Sequence, residues 1–409
     1  MTLRQDADQI IRAAIAAAQP GAAVRRALEG FSCGGRLYLV SAGKAGWSMA
    51  NAAWQALGPQ FSGGVVITKY AHSQGPIGPF QIIEAGHPVP DENSVRAARA
   101  ALALTSGLHA EDCVLLLLSG GGSALFEAPR LPLSELEEIT NQLLACGADI
   151  VEINTIRKRL SSVKGGRFAQ HCLPARVYAV VLSDIVGDPL DMIASGPACP
   201  DSSTCADACA IAEKYRLRLS DAARALLHEE TPKALNNVVT QVTGSVKTLC
   251  AAAEAEAARL GYSCLRLTDC LCCEARDAGS FLSSIARTHA GTDRPLAFLA
   301  GGETVVHLTG QGLGGRNQEL ALAAAAGISG LANAAVFSFG SDGTDGPTDA
   351  AGGFVDGNSL AALERSGRTL SAVLRENDAY HALQATGGLI VTGPTGTNVN
   401  DLAMLLLRP

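Results

Sequence analysis

The 409-residue sequence is poor in aromatic residues, at 4%, and in charge, at 17%. So few aromatics imply cores of alanine and leucine, which suits small-residue helices packed on sheets. It also has no excess of lysine and arginine. A net charge of −7 excludes the clustered basic face that a nucleic-acid backbone requires, although local positive charge in a cleft stays compatible with it. No stretch approaches the ~18 continuous apolar residues of a membrane span, and Leu115–Leu118 belongs to a short buried strand. At the N-terminus, MTLRQDADQIIRAAIAAAQP is interrupted by Asp6, Asp8 and Arg12. It reads as an amphipathic helix and not as a signal peptide, so a cytoplasmic location without a membrane partner is expected. H-E-x-x-H is missing among the eight histidines, and none is expected to bind metal. Twelve cysteines are present, but Cys270 and Cys273 form the only C-x-x-C. With no second pair and no nearby histidine, a four-ligand zinc site is not expected, and the thiols read as free in a reducing compartment.

What is present is an alternation of short apolar runs and helical patterns, in a chain long enough for two domains. With 47% apolar residues, extended disorder is excluded. Strands are expected at 36–42, 64–68, 81–85, 113–118 and 177–183, with helices between them. The polar segment Glu229–Asn237 reads as a linker. A second alternating set follows: helices at 245–260, 274–289 and 318–326, and strands at 264–267, 296–299, 305–308 and 335–339. The end reads as loop-rich before a last apolar run, Leu402–Leu407. No internal repeat is visible.

Four glycine-rich turns follow expected strands, the position at which open α/β sheets bind ligands. Ser41-Ala-Gly43-Lys44-Ala-Gly46 combines backbone that an anion can approach with a full positive charge, but it is not a Walker A loop. Ser119-Gly120-Gly121-Gly122-Ser123 offers a nest of N–H groups with two hydroxyls, suited to phosphate, or else a tight strand–helix turn. Its serines do not meet G-x-S-x-G. Gly301-Gly-Glu303-Thr is followed by Gly310-Gln-Gly-Leu-Gly-Gly-Arg316-Asn-Gln-Glu. This contains a literal G-x-G-x-x-G, which fits a dinucleotide fold and a kinase-like phosphate site equally well. Arg316 at the helix start adds a two-pronged anion clamp. Gly340-Ser-Asp342-Gly-Thr-Asp345-Gly-Pro-Thr-Asp349 is either a surface turn or a Mg²⁺- or base-bearing loop. Ser183-Asp184-Ile-Val-Gly-Asp188 repeats the acidic pattern in the first half. Thr392-Gly-Pro-Thr-Gly-Thr-Asn398-Val-Asn400-Asp401 is a further polar turn. The run Asn154–Arg167, NTIRKRLSSVKGGR, is expected to be a solvated helix face.

Taken in order, SAGKA, SGGGSAL, NTIRKRLSSVKGGR, SDIVGDPLDMIASGP, GGET, GRNQEL, DGTDGPTDAAG and TGPTGTNVNDL resemble the class II glycerate kinases, or MOFRL family. The likeness runs from about Ser41 to Asp401. It implies ATP- and Mg²⁺-dependent phosphorylation of D-glycerate to 2-phosphoglycerate. The implied fold is α/β: a Rossmann-like doubly wound N-terminal domain, about 1–235, and a smaller α/β/α C-terminal domain, about 236–409. Their active site is expected in the cleft between them, and a homo-oligomer is compatible. Motif by motif, the resemblance places Lys44 and Arg316 on the transferring phosphate. Asp184 and Asp342 compete for Mg²⁺ and for the hydroxyl proton. Gly43 and Ser119–Ser123 cradle phosphate, and Glu303 and Asn398 order the site. Two other functions stay open at this point: an NAD(P)H-dependent hydroxypyruvate reductase and a non-catalytic sugar-phosphate-binding regulator. The first lacks an acidic residue about 20 positions beyond Gly315 at a strand end. The second has no need of repeated acidic loops.

Overall fold

A computed structural model describes residues 2–409. Contacts divide the chain into two compact units. One comprises Pro20–Ser183 and Asp188–Thr243. The other comprises the residues through Gln19, Asp184–Gly187 and Gly244–Pro409.

The first unit carries strands β1 (Leu37–Ala42), β2 (Phe61–Lys69), β3 (Gln81–Ala85), β4 (Cys113–Leu118), β5 (Arg176–Leu182) and β6 (Val238–Gly244). Their order is β3-β2-β1-β4-β5-β6, the doubly wound order with a switch point between β1 and β4. The pairs β1–β2, β2–β3, β1–β4 and β4–β5 are parallel. Every residue of β1 and β4 is buried, as central strands covered on both faces require. Their register runs from Leu37 opposite Cys113 to Ala42 opposite Leu118, so both strands end at one level and hand over to neighbouring turns. Local signals set the helix starts. Asp91 caps Glu92–Leu104 through the Ser94 amide, and Asp149 caps Ile150–Arg159 through the Glu152 amide, satisfying donors that helix geometry leaves open. The expected linker is instead packed into this unit. Thr231 is buried and donates to Asp201 at 2.7 Å, and the Asn237 amide bonds the Ala169 and Ala175 carbonyls.

In the second unit, β7 (Ser263–Leu271), β8 (Leu296–Gly302), β9 (Ala334–Gly340), β10 (Gly352–Asp356), β11 (Leu389–Ile390) and β12 (Asp401–Leu407) form a sheet of order β11-β10-β9-β12-β8-β7. Unlike the parallel sheet expected from the alternation, it is mixed. β12 lies antiparallel between β8 and β9, and β10 is antiparallel to β9. The apolar end of the chain is therefore a central strand, buried throughout. Residues 305–308 are not a strand, since only an isolated bridge joins Val305 to Glu274. The region expected to be loop-rich holds three short helices, Ser359–Arg365, Leu370–Glu376 and Ala379–Thr386. The helix Leu3–Ala17, placed by sequence with the N-terminal half, packs in this second unit. Tyr262 donates to its buried Asp6 at 2.5 Å, and Arg408 pairs with the same carboxylate.

Candidate functional site

At the switch point of the first unit the turns after β1 and β4 interlock. The Lys44 amide donates to the Gly120 carbonyl at 2.8 Å, and the Ala45 amide donates to the Ser119 hydroxyl at 3.1 Å. Gly43 has φ +139°, and a Cβ there would lie 2.0 Å from Ser119 Oγ, so only glycine permits this contact. Gly121, at φ +83°, starts the turn Gly122–Leu125. Ser119 is 1% exposed and its hydroxyl braces the β1 turn, so it is a structural partner of the loop and not an open phosphate ligand. Ser123 bonds Ser195 at 2.9 Å, and Ser195 in turn donates to buried Asn154. Lys44 and Gly120–Gly122 remain as the groups at the strand ends that sequence reading singled out. Around them stand His72, after β2, and His87, after β3, which the sequence excludes only as metal ligands.

The charge run Asn154–Arg167 is not a solvated face. Lys158, Arg159 and Lys164 are buried, each with a carboxylate. Lys164 Nζ lies 3.2 Å from wholly buried Glu127 and donates to the Ser123 and Phe126 carbonyls. Lys158 sits between Asp191 and Asp201, and Arg159 bonds Ser203 beside Asp201. Lys164 thus locks the back of the triple-glycine turn, while Lys158 and Arg159 tie their helix to the segment that carries Asp201 and Ser203. Charge alternation in a linear sequence cannot reveal that the partners lie tens of residues away.

In the second unit the carboxylates and Arg316 converge. Arg316 Nε donates to Asp401 Oδ2 at 2.5 Å and its NH2 to Oδ1 at 3.1 Å, while its NH1 donates to Glu303 at 2.8 Å. Register explains the meeting: Asp401 opens β12 directly opposite Gly302 of β8, and Glu303 follows that residue. Asn400 Nδ2 donates to the other oxygen of Glu303 and to the Asp184 carbonyl. Asp342 accepts from the Thr344 amide, and its Oδ1 shares the space over Gly340 with Asp401. Asp345 caps the helix Arg316–Ile328 by accepting from the Asn317 and Gln318 amides, and burial pushes it up to about 6. Burial opposes the charge on Arg316, but the bond to Asp401 and then the charges of Asp401, Glu303 and Asp345 outweigh it and raise its pKa. Asn398 is exposed; Asn400, two positions on, is the asparagine that joins the cluster.

Beside the cluster lies a cavity of about 890 Å³, with Asp184, Glu303 and Arg316 at its polar side and Val305, Val306 and Leu308 among its apolar walls. The G-x-G-x-x-G loop borders it without acting as a dinucleotide turn. The Thr309 and Gly310 amides donate to Asn377 Oδ1, the Gly312 amide to the Glu376 carbonyl, and the Leu313 amide to Asp378. A Cβ on Gly310 or Gly312 would strike Glu376. These glycines thus serve close packing on the 376–378 turn, and three of the loop's amides, with that of Thr309 just before it, are already engaged.

A family model described as a domain of unknown function, DUF4147, matches residues 6–228, and the MOFRL family model matches residues 296–401. The chain is 50% identical to a D-glycerate 2-kinase of Thermotoga maritima across 99% of both chains. It superposes on a crystal structure of glycerate kinase from that organism with a TM-score of 0.96, covering 99% of each. A protein of Agrobacterium vitis, 40% identical over all of this chain and 95% of its own, carries the provisional name hydroxypyruvate reductase.

Proposed function

The chain belongs to the MOFRL family of glycerate kinases, and from that membership we propose that it transfers the γ-phosphoryl group of ATP, with Mg²⁺, to the C2 hydroxyl of D-glycerate. At the coarser level it is a phosphotransferase acting on glycerate. The observation that carries the reading is the Arg316 cluster, a two-pronged cation held by Asp401 and Glu303 at the mouth of a cavity. Phosphoryl transfer asks a protein for positioning and charge neutralisation more than for covalent chemistry.

In this reading Lys44 and Arg316 hold the transferring phosphate, and the backbone of Gly43 and Gly120–Gly122 lies along it. Glu303 and Asn400 fix the guanidinium. The carboxylates Asp184, Asp342, Glu303 and Asp401 outnumber the one arginine among them, and the buried Asn400 Oδ1 has no hydrogen-bond partner. Among the described residues no three carboxylate, histidine or cysteine side chains are gathered as a metal cage, so Mg²⁺, which needs only one or two carboxylates beside phosphate oxygens, would arrive with the nucleotide and be held by Asp184 or Asp342. When bound, the ion neutralises charge on the phosphate oxygens. The carboxylate not engaged with the ion receives the hydroxyl proton of glycerate.

A reductase would need open backbone in the G-x-G-x-x-G loop for the cofactor pyrophosphate, whereas Thr309, Gly310, Gly312 and Leu313 have their amides engaged. The two activities are separated by one comparison. ADP release with ATP, Mg²⁺ and D-glycerate is expected, with no oxidation of reduced nicotinamide by hydroxypyruvate. Nicotinamide turnover without ADP release would overturn the kinase reading.

A further inference from the structure

The C-terminal edge of the first unit's sheet gathers cations from successive strands. Lys44 follows β1, Lys69 ends β2, His72 lies three residues beyond it, and His87 follows β3. His87 stands over the triple-glycine turn: a Cβ on Gly121 would lie 2.9 Å from its Cδ2, 3.0 Å from its Nε2 and 3.2 Å from Lys44 Cγ. The imidazole and the lysine stem therefore flank one glycine, and any side chain at position 121 would fill the space between them. Both groups are half-buried. Among the described residues, no hydrogen bond or ion pair engages the His87 ring nitrogens or Lys44 Nζ. Half-buried and without a protein partner, both groups border a space that a ligand can occupy.

We propose that His87 and Lys44 form the corner that recognises the hydroxy acid, the lysine attracting its carboxylate and the imidazole accepting a hydrogen bond from its primary hydroxyl, the one that does not receive the phosphate. The proposal rests on the kinase reading and assigns to its substrate a residue outside the eight motifs that carry the family resemblance. In that corner Lys44 serves the acid on one side and the transferring phosphate on the other. His87 suits the hydroxyl because it stays neutral. Burial lowers its pKa, and Lys44, Lys69 and His72 lower it further, with no carboxylate acting in the opposite direction. The cations that draw in an anion thus also preserve the acceptor nitrogen, which protonation would convert to a donor. Gly121 keeps the ring edge accessible.

The test measures KM for D-glycerate and for ATP, together with calorimetric binding of D-glycerate from pH 5 to 8, in the wild type and in His87→Ala and His87→Gln. His87→Ala is expected to raise KM for glycerate roughly ten-fold or more, the scale of one lost hydrogen bond, with KM for ATP unchanged. His87→Gln, whose amide oxygen still accepts, should recover part of the loss. Wild-type binding of glycerate should weaken as pH falls below the ordinary histidine range, and the alanine variant should lack that dependence. A rise in KM for ATP instead, unchanged glycerate binding, or tighter wild-type binding on acidification would each overturn the role. If His87→Ala fails to fold, the wild-type pH dependence decides. Because calorimetry reads binding without turnover, a protein that binds glycerate through His87 but releases no ADP would contradict the kinase reading and leave this one standing.

Discussion

Arg316→Lys is expected to lower turnover by roughly 10²–10³-fold, the scale for removing one preorganised donor from a transition state. Lysine keeps the charge but loses the planar fork. Arg316 uses that fork to bond both oxygens of Asp401 while a further N–H reaches Glu303. A single ammonium cannot span the two carboxylates and still face a phosphate. The side chain of Asp401 is 8% exposed, so the substitution also leaves a largely buried carboxylate less well paired, and a modest drop in melting temperature should accompany the kinetic loss. Steady-state kinetics with a parallel melt separates the two effects. Near-normal turnover would remove Arg316 from the phosphate site, whatever the melt shows.

Lys164→Met is expected to destabilise the protein by about 3–5 kcal/mol, the scale for breaking a buried ion pair by deleting one partner. Glu127 would be left wholly buried with only Arg157, at 3.6 Å, the Phe126 carbonyl would lose the Lys164 donor, and the Ser123 carbonyl would keep only Arg157. The double variant Glu127→Gln with Lys164→Met should recover part of the loss, since no buried carboxylate is then left short of its partner. Burial lowers Lys164 to about 8, against an ordinary value of 10.5, with Glu127 opposing the shift. Between those values the unfolded chain binds more protons than the folded one. The contribution of this group to wild-type stability therefore increases as pH rises from about 8 towards 10.5. Chemical denaturation of both variants across that range checks the claim, which a pH-independent difference between wild type and Lys164→Met would contradict.

The first sheet was legible because its strands carry short β-branched and leucine-rich runs: 81–85 and 113–118 match the observed bounds to the residue, and glycine turns mark where β1 and β4 end. The second sheet was harder to read. Its central strand, Asp401–Leu407, comes from the end of the chain and inserts between β8 and β9, a pairing that no local pattern encodes. Strand 305–308 was misread because Val305, Val306 and Leu308 are apolar for another reason: they wall a cavity. The helices between 359 and 386 are short and lack strong caps. Of the residues proposed for function, Lys44 in the first unit and Arg316, Glu303 and Asp184 in the second stand out in sequence because each places a charge close to glycine in the chain. Asp401 and Asn400 were hidden because their roles depend on register across two strands. Lys158 and Lys164 were misjudged because their carboxylate partners, Asp201 and Glu127, lie 43 and 37 positions away in the chain.

The phosphate is expected on the C2 hydroxyl. A corner that holds the carboxylate of glycerate with Lys44 and its primary hydroxyl with His87 leaves the C2 hydroxyl between them to meet the phosphate, and such positioning supplies much of the lowering of the barrier. The direct measurement mixes the protein with ATP, Mg²⁺, D-glycerate and enolase, without phosphoglycerate mutase. Transfer to C2 gives 2-phosphoglycerate, which enolase dehydrates at once, so the absorbance of phosphoenolpyruvate should rise from the start. A signal that appears only after mutase is added would mean transfer to C3 and would contradict the account.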